Sequence, residues 1–151
     1  MTGTHNQGFD RLIKAVDRLA ENFEEKFFIQ TGNSEVKPEN CEWKKFLSES
    51  DRIKKIAESS VVITHGGSGS IIDCLKNGKK TIVVPREKKF KEHVNNHQFE
   101  LAEALGRQGK IVACSSLEEL DKAIEKAGKI NTEIKSRNTG IIKEIEDFLG
   151  E

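Results

Sequence analysis

The sequence predicts an α/β fold, a single Rossmann-like domain whose parallel sheet carries helices on both faces. Three observations lead there. Short apolar runs (Phe27-Phe28-Ile29, Val61-Val62-Ile63-Thr64, Thr81-Ile82-Val83-Val84) alternate along the chain with charged amphipathic stretches. Such runs, apolar at consecutive positions, fit strands buried on both sides, as in parallel sheets covered by crossover helices. The clearest run leads into a Gly-rich turn that opens a helix, and ligands of such sheets sit at the carboxyl ends of the strands. At 151 residues the chain has the length of one domain, taken here as residues 1–151.

The elements follow in order. Phe9, Leu12, Ile13, Val16, Leu19 and Ala20 make an i, i+3, i+4, i+7 stripe, a helix with Asp10 at its positive end. Residues 26–31 form a buried strand stopped by Gly32-Asn33. Residues 32–44 are expected to be loop, with a short strand at Phe46-Leu47 and a short helix over 51–58. The β-branched run 60–64 is a strand, and the helix after it is expected from Ile71 to Asn77, closed by Gly78. Residues 81–84 are a strand ended by Pro85. A basic loop over 86–94 leads to a helix over 96–105 and a strand over 110–113. Ser115 or Ser116, each three residues before a Glu, fits a capping box for the next helix. An amphipathic helix over 138–151 ends the chain.

Gly3-Thr4-His5 has the composition of a strand-to-helix loop, yet only Met1 and Thr2 precede it. Either the start is truncated, or a central strand is lost and something else covers the gap.

Composition narrows the function. The 25 basic and 25 acidic residues cancel, so no overall field draws the chain to nucleic acid or to an anionic membrane. Cys41, Cys74 and Cys114 share no metal-ligand spacing and suit free thiols in a reducing cytosol. The start lacks the pattern of a signal peptide, and no apolar run approaches the ~20 residues that span a bilayer.

The chemistry concentrates in His65-Gly66-Gly67-Ser68-Gly69-Ser70. A strand, a Gly-rich turn and a helix start form an anion site, because free N–H groups point outward along the helix dipole. Glycine lets a diphosphate approach the backbone. Ser68 and Ser70 supply hydroxyl donors, and His65 a ring N–H that donates better once charged. The loop lacks the Gly-Lys-Ser/Thr ending of a Walker A loop. It also lacks the third glycine of the dinucleotide fingerprint, where Ile72 stands. A tight turn with no ligand is the plainer alternative.

Asp73, eight residues after His65, is expected in the first turn of the helix, where it serves either ribose hydroxyls or the helix dipole. His93, Asn95, Asn96, His97 and Gln98 follow a strand end. They suit either the hydroxyls of a sugar or a helix N-cap. His93 and His97 have i, i+4 spacing, but there is no third ligand, so no metal is expected. Lys88, Lys89 and Lys91 around Phe90 make either a solvated loop or a partner- or lipid-phosphate-facing one. His5, at a strand's carboxyl side, is either a general base or a plain loop residue.

The segment 64–70, Asp73, Gly78, Pro85 and Asn96-His97-Gln98 together resemble the C-terminal, donor-binding domain of glycosyltransferase family 28. The chain is most similar to its small stand-alone members: the catalytic subunit of the two-subunit dolichol-linked GlcNAc transferase, and PssE-type subunits of polysaccharide synthesis. Gly3-Thr4-His5-x-x-Gly8-Phe9-Asp10 resembles their opening loop. The resemblance covers residues 1 to about 115.

It implies half of a GT-B enzyme that binds a UDP-sugar as substrate, with no cofactor and no obligatory metal. It assigns His65, Gly66, Gly67, Ser68, Gly69 and Ser70 to the donor diphosphate, bordered by Gly3 and Thr4. Asp73 holds the ribose, in place of the family's usual Glu. Gln98, with Asn96 or His97, holds the donor sugar, and His5 is the candidate base. It further implies a membrane-anchored, PssD-type acceptor-binding subunit that brings a lipid-linked glycan. The chain is then cytoplasmic and peripheral to the membrane through that partner. A non-catalytic nucleotide-sugar-binding or activating subunit is the alternative.

Overall fold

A computed structural model of the chain describes residues 1–130 and 138–150. Among these residues five strands and six α-helices follow one another: α1 (Asp10–Ala20), β1 (Phe28–Gln30), β2 (Glu42–Lys44), α2 (Glu49–Glu58), β3 (Val61–His65), α3 (Ser68–Lys76), β4 (Lys80–Val84), α4 (His97–Arg107), β5 (Val112–Ala113), α5 (Leu120–Gly128) and α6 (Asn138–Leu149). The strands make two parallel groups, β1-β2 and β3-β4-β5.

Met1 and Thr2 lie between the two groups. The Met1 amine donates to Ile63 O at 2.6 Å, and His65 N donates to Met1 O at 3.1 Å. Thr2 N in turn donates to Gln30 O on β1 at 3.3 Å. Met1 and Thr2 thus bridge the two groups, in the order β2-β1-(Met1-Thr2)-β3-β4-β5.

Both faces of the sheet are covered, as the unbroken apolar runs require. Along β4, Ile82 and Val84 pack into a core with Phe9, Leu12, Ile13 and Val16 of the α1 region and Leu120, Ala123 and Ala127 of α5. Val83, between them, faces the opposite way, into a core with Ile71 and Leu75 of α3, Leu101, Ala102 and Leu105 of α4, and Ile145 of α6. Ile56 of α2, Val62 of β3 and Cys74 of α3 complete that side.

Several boundaries differ from expectation. β2 lies inside the expected loop 32–44, and Phe46-Leu47 is not a strand. All three β2 residues are exposed, so no burial pattern marks them; backbone pairing alone makes the strand, with Glu42 N donating to Phe27 O and Thr31 N to Lys44 O. α2 starts at Glu49, because Ser48 accepts from Asp51 N as its N-cap. α3 starts at Ser68 rather than Ile71, since glycines at 66 and 67 already make the turn. Ser116 makes no capping bond. A 3-10 turn over Leu117–Glu119 precedes α5 instead. Gly78 closes α3 at φ +63°, with its N–H on Leu75 O and Lys79 N on Cys74 O.

Ile82 is fully buried at the middle of the central strand. Ile82→Ala is expected to cost about 2–5 kcal/mol, read as a lower urea midpoint with an unchanged m-value.

Candidate functional site

Three loops meet at the carboxyl ends of the strands: residues 3–9 after the Met1-Thr2 segment, 66–67 after β3, and 85–96 after β4. The parallel pairing of β3 and β4 sets the second and third side by side, with His65 opposite Val84. Two buried polar side chains then fasten the loops together.

The first is Arg86, 1% exposed. Its NH1 donates to Gln7 O at 2.8 Å, Gly8 O at 3.1 Å and Glu92 O at 3.0 Å, and its NH2 to Thr2 O at 2.7 Å. The planar fork of donors matches a ring of carbonyls that a single ammonium could not serve. The second is Gln98, whose Oε1 accepts from Gly66 N and Arg86 N, both at 3.1 Å. A Cβ on Gly66 would stand 2.6 Å from Gln98 Cβ, so the glycine is required by the close approach of α4. Neither residue follows from local sequence pattern as a clamp. Arg86 sits in a run of charges that looks solvated, and its partners lie up to 84 positions away.

On the opening-loop side, Gln30 accepts from the N–H groups of Thr2 and Gly3 and donates to Gly3 O and Lys45 O. Glu92 receives Arg11 through both carboxylate oxygens, at 2.8 and 2.9 Å, which ties α1 to the β4 loop. Phe90 lies exposed above Arg11, 4.4 Å from guanidinium carbon to ring centre.

The Gly-rich turn delivers a free helix start. Gly67 is the N-cap of α3 and offers no side chain. Ile71 N is the first to find the preceding turn, on Gly67 O, which leaves the N–H groups of Ser68, Gly69 and Ser70 outside the helix ladder. Among the described residues nothing bonds to the hydroxyls of Thr4, Ser68 or Ser70.

His65 leads into the turn from deep in the fold. It is buried, its ring packed between Gly3 and Gly67; a Cβ on Gly3 would fall 2.5 Å from its Nε2. Burial above all, then the Met1 ammonium and Arg86, push it down to about 3. It is neutral at physiological pH and is not a cationic donor. It spaces the opening loop from the Gly-rich turn.

Asp73 lies in the second turn of α3, not the first, because the helix begins three residues earlier than expected. Its Oδ2 forms an ion pair with Arg52 of α2, while its Oδ1 has no partner among the described residues. In the loop before α4, Asn95 Oδ1 accepts from His97 N at 3.1 Å, and Asn96 Oδ1 accepts from Lys88 N. Asn96 stands at the N-cap position without a side-chain capping bond. His97 projects outward beside Glu100. His93 precedes the helix, so His93 and His97 do not share one helix face.

His5 stacks near His93, ring centres 4.8 Å apart. Burial, His93 and Arg86 lower its pKa. Its Nδ1 accepts from Gln7 N at 3.2 Å, which places the proton of the neutral ring on Nε2. In this geometry Nε2 is a donor. Cavities of about 310 and 630 Å³ open elsewhere, and none of the predicted site residues lines either.

Residues 2–149 match the glycosyltransferase family 28 C-terminal domain. The chain belongs to that family. It is 34% identical over 108 residues to the UDP-N-acetylglucosamine transferase subunit ALG13 of Homo sapiens, a match covering 68% of this chain and 9% of the human protein. It is 48% identical over 54 residues to the subunit of the same name from Debaryomyces hansenii, covering 36% of this chain and 24% of that one. The chain thus spans a minor part of these relatives. The crystal structure of the glycotransferase of kitacinnamycin superposes with a TM-score of 0.68 at 17% identity, over 97% of this chain and 38% of the other; that likeness is one of fold.

Two outcomes follow from the clamps. Gln98→Leu leaves the Gly66 and Arg86 amides unpaired and is expected to destabilise the fold by about 1–3 kcal/mol per amide, measured by urea unfolding. His65 binds no proton in the fold until about pH 3, whereas the unfolded chain takes one near 6.5. Between those values the unfolded state holds more protons, so stability falls as pH drops from about 6.5 towards 3. In His65→Gln that part of the acid sensitivity disappears from the pH dependence of Tm.

Proposed function

We propose that this chain is the donor-binding subunit of an inverting glycosyltransferase. Its substrate is a UDP-sugar, and the names of the relatives favour UDP-N-acetylglucosamine. The sugar passes to a polyprenyl-diphosphate-linked glycan, which a separate membrane-anchored, PssD-type subunit brings. The chain works at the cytoplasmic surface through that partner; among its described residues no helix is long and apolar enough to cross a membrane.

The observation that carries this reading is the open start of α3. Three N–H groups and the Ser68 and Ser70 hydroxyls lie at the carboxyl end of β3, with Gly3 packed across the His65 ring. A diphosphate fits that chemistry. As the bond from sugar to diphosphate breaks, negative charge grows on the leaving oxygen. Donors already fixed in place stabilise that charge without reorganising, and no divalent cation is needed.

The other polar groups take consistent places around such a donor. Asp73 offers Oδ1 to the ribose hydroxyls while Arg52 steadies Oδ2. Gln98 spends its carbonyl on two backbone amides, so its NH₂ group is what remains for a sugar hydroxyl. His5, protonated on Nε2, donates to the bound donor. We assign the base that deprotonates the acceptor hydroxyl to the partner subunit.

Titration calorimetry with UDP, UDP-N-acetylglucosamine, UDP-galactose and NAD tests this. Selective UDP-N-acetylglucosamine binding is expected, weakened about tenfold by Ser70→Ala at unchanged Tm, the scale of one hydrogen bond to a charged group. Binding that prefers NAD, or that ignores Ser68 and Ser70, sinks the proposal.

A further inference from the structure

The loop from β4 to α4 carries the two most exposed large apolar side chains among the described residues, Phe90 at 48% and Val94 at 68%. Lys88, Lys89 and Lys91 flank Phe90, and all three are exposed. A loose loop would fold such a ring back onto the protein. This one has a fixed neck. Glu87 N donates to Glu92 Oε2 at 3.2 Å, and Glu92 N to Glu87 O at 3.4 Å. Arg86 holds Glu92 O, and Asn96 Oδ1 accepts from Lys88 N at 3.1 Å. Between these ties Phe90 N bonds to Glu87 O and Lys91 N to Lys88 O, a single 3-10 turn. Lys91 then reverses the chain at φ +58°, a region that residues with side chains seldom enter. The tip is thus held outward, with the Phe90 ring standing over Arg11.

The charges of the loop are sorted by depth. Its two acidic residues, Glu87 and Glu92, are buried. Glu92 receives Arg11, and Glu87 receives Lys89 at 2.9 Å. Lys88 and Lys91 meet no carboxylate among the described residues. The outer surface of the loop is therefore basic, although the 25 basic and 25 acidic residues of the chain cancel. Lysine is depleted from the cores of protein–protein interfaces, which speaks against a protein partner on this tip. Apolar side chains ringed by lysines suit a lipid surface instead. The lysine stems lie along the apolar layer while their ammonium groups reach the phosphates.

We propose that the loop over 88–94 docks directly on an anionic lipid bilayer. Phe90 and Val94 enter the boundary between headgroups and acyl chains, and Lys88, Lys89 and Lys91 bond the lipid phosphates. Each lysine near such a surface raises partition about fivefold. A phenyl ring buried from half exposure adds about tenfold. Together they give a reversible contact rather than a permanent anchor. The loop leaves the carboxyl end of β4, so the contact turns that end of the sheet towards the bilayer. The inference is independent of what the Gly-rich turn binds.

Sucrose-loaded vesicles of phosphatidylcholine, with or without about one-third phosphatidylglycerol, test this by co-sedimentation of the chain. Partition onto the anionic vesicles is expected to exceed that onto the neutral ones at least about tenfold, and to fall as salt rises from about 0.1 to about 0.5 M. Changing Lys88, Lys89 and Lys91 together to Gln lowers it at least about tenfold, whereas changing Lys54, Lys122 and Lys129, exposed elsewhere, alters it less than about twofold. Phe90→Ser lowers it at least about fivefold at unchanged Tm. Trp43 is the single tryptophan, so Phe90→Trp in a Trp43→Phe background places one indole at the tip. Its emission is expected to shift to the blue on anionic vesicles. Equal partition of the unaltered chain onto both kinds of vesicle overturns the proposal, and that result needs no variant to fold. An unshifted indole, or equal losses from the two lysine triples, overturns it as well. So does release by inorganic phosphate at constant ionic strength, which marks a site for free anions.

Discussion

The guanidinium of Arg86 binds four carbonyls from two separate stretches of chain, and the arrangement of the site depends on it. Loops at the end of a parallel sheet leave many main-chain carbonyls facing inward, and each must find a donor or stay in water. One buried cation with a rigid fork answers that need for Thr2, Gln7, Gly8 and Glu92 together. Its own charge is balanced nearby by Glu92, which also receives Arg11. The opening loop therefore stays against the β4 loop, and the Gly-rich turn stays beneath both.

Gln98 plays the complementary part, as an acceptor where Arg86 is a donor. Together they turn three loops into one rigid surface beside a helix end that is free to bind. Rigidity of that kind matters for charge stabilisation, since dipoles fixed in advance need no reorganisation as charge develops. The polar residues of the region thus divide into those that hold the loops, Arg86, Gln30, Glu92 and the carbonyl of Gln98, and those left facing outward, Thr4, Ser68 and Ser70.

Much of this was legible in the sequence. The β-branched runs gave the central strands because both sheet faces are buried, and Gly66 to Ser70 marked the turn that opens α3 because glycine allows it. What escaped depended on distant partners. β2 has three exposed residues and exists only through its pairing with β1. The Asp73–Arg52 pair joins two helices 21 positions apart. The neutrality of His65 comes from burial and from Met1 and Arg86, none of which the local spacing reveals. In place of the capping boxes expected at Ser115 and Ser116 a 3-10 turn leads into α5, whose Leu120 and Ala123 are buried in the core.

The outer border of the sheet has its own consequence. β2 is three residues long, with Glu42 and Lys44 at its ends and Lys45 just beyond, and Trp43 lies half out of the surface. A neighbouring molecule that tried to lengthen the sheet there would gain few ladder bonds and would have to desolvate several ionic groups. Stacking of chains into ribbons is therefore disfavoured at that border, and the sheet ends there.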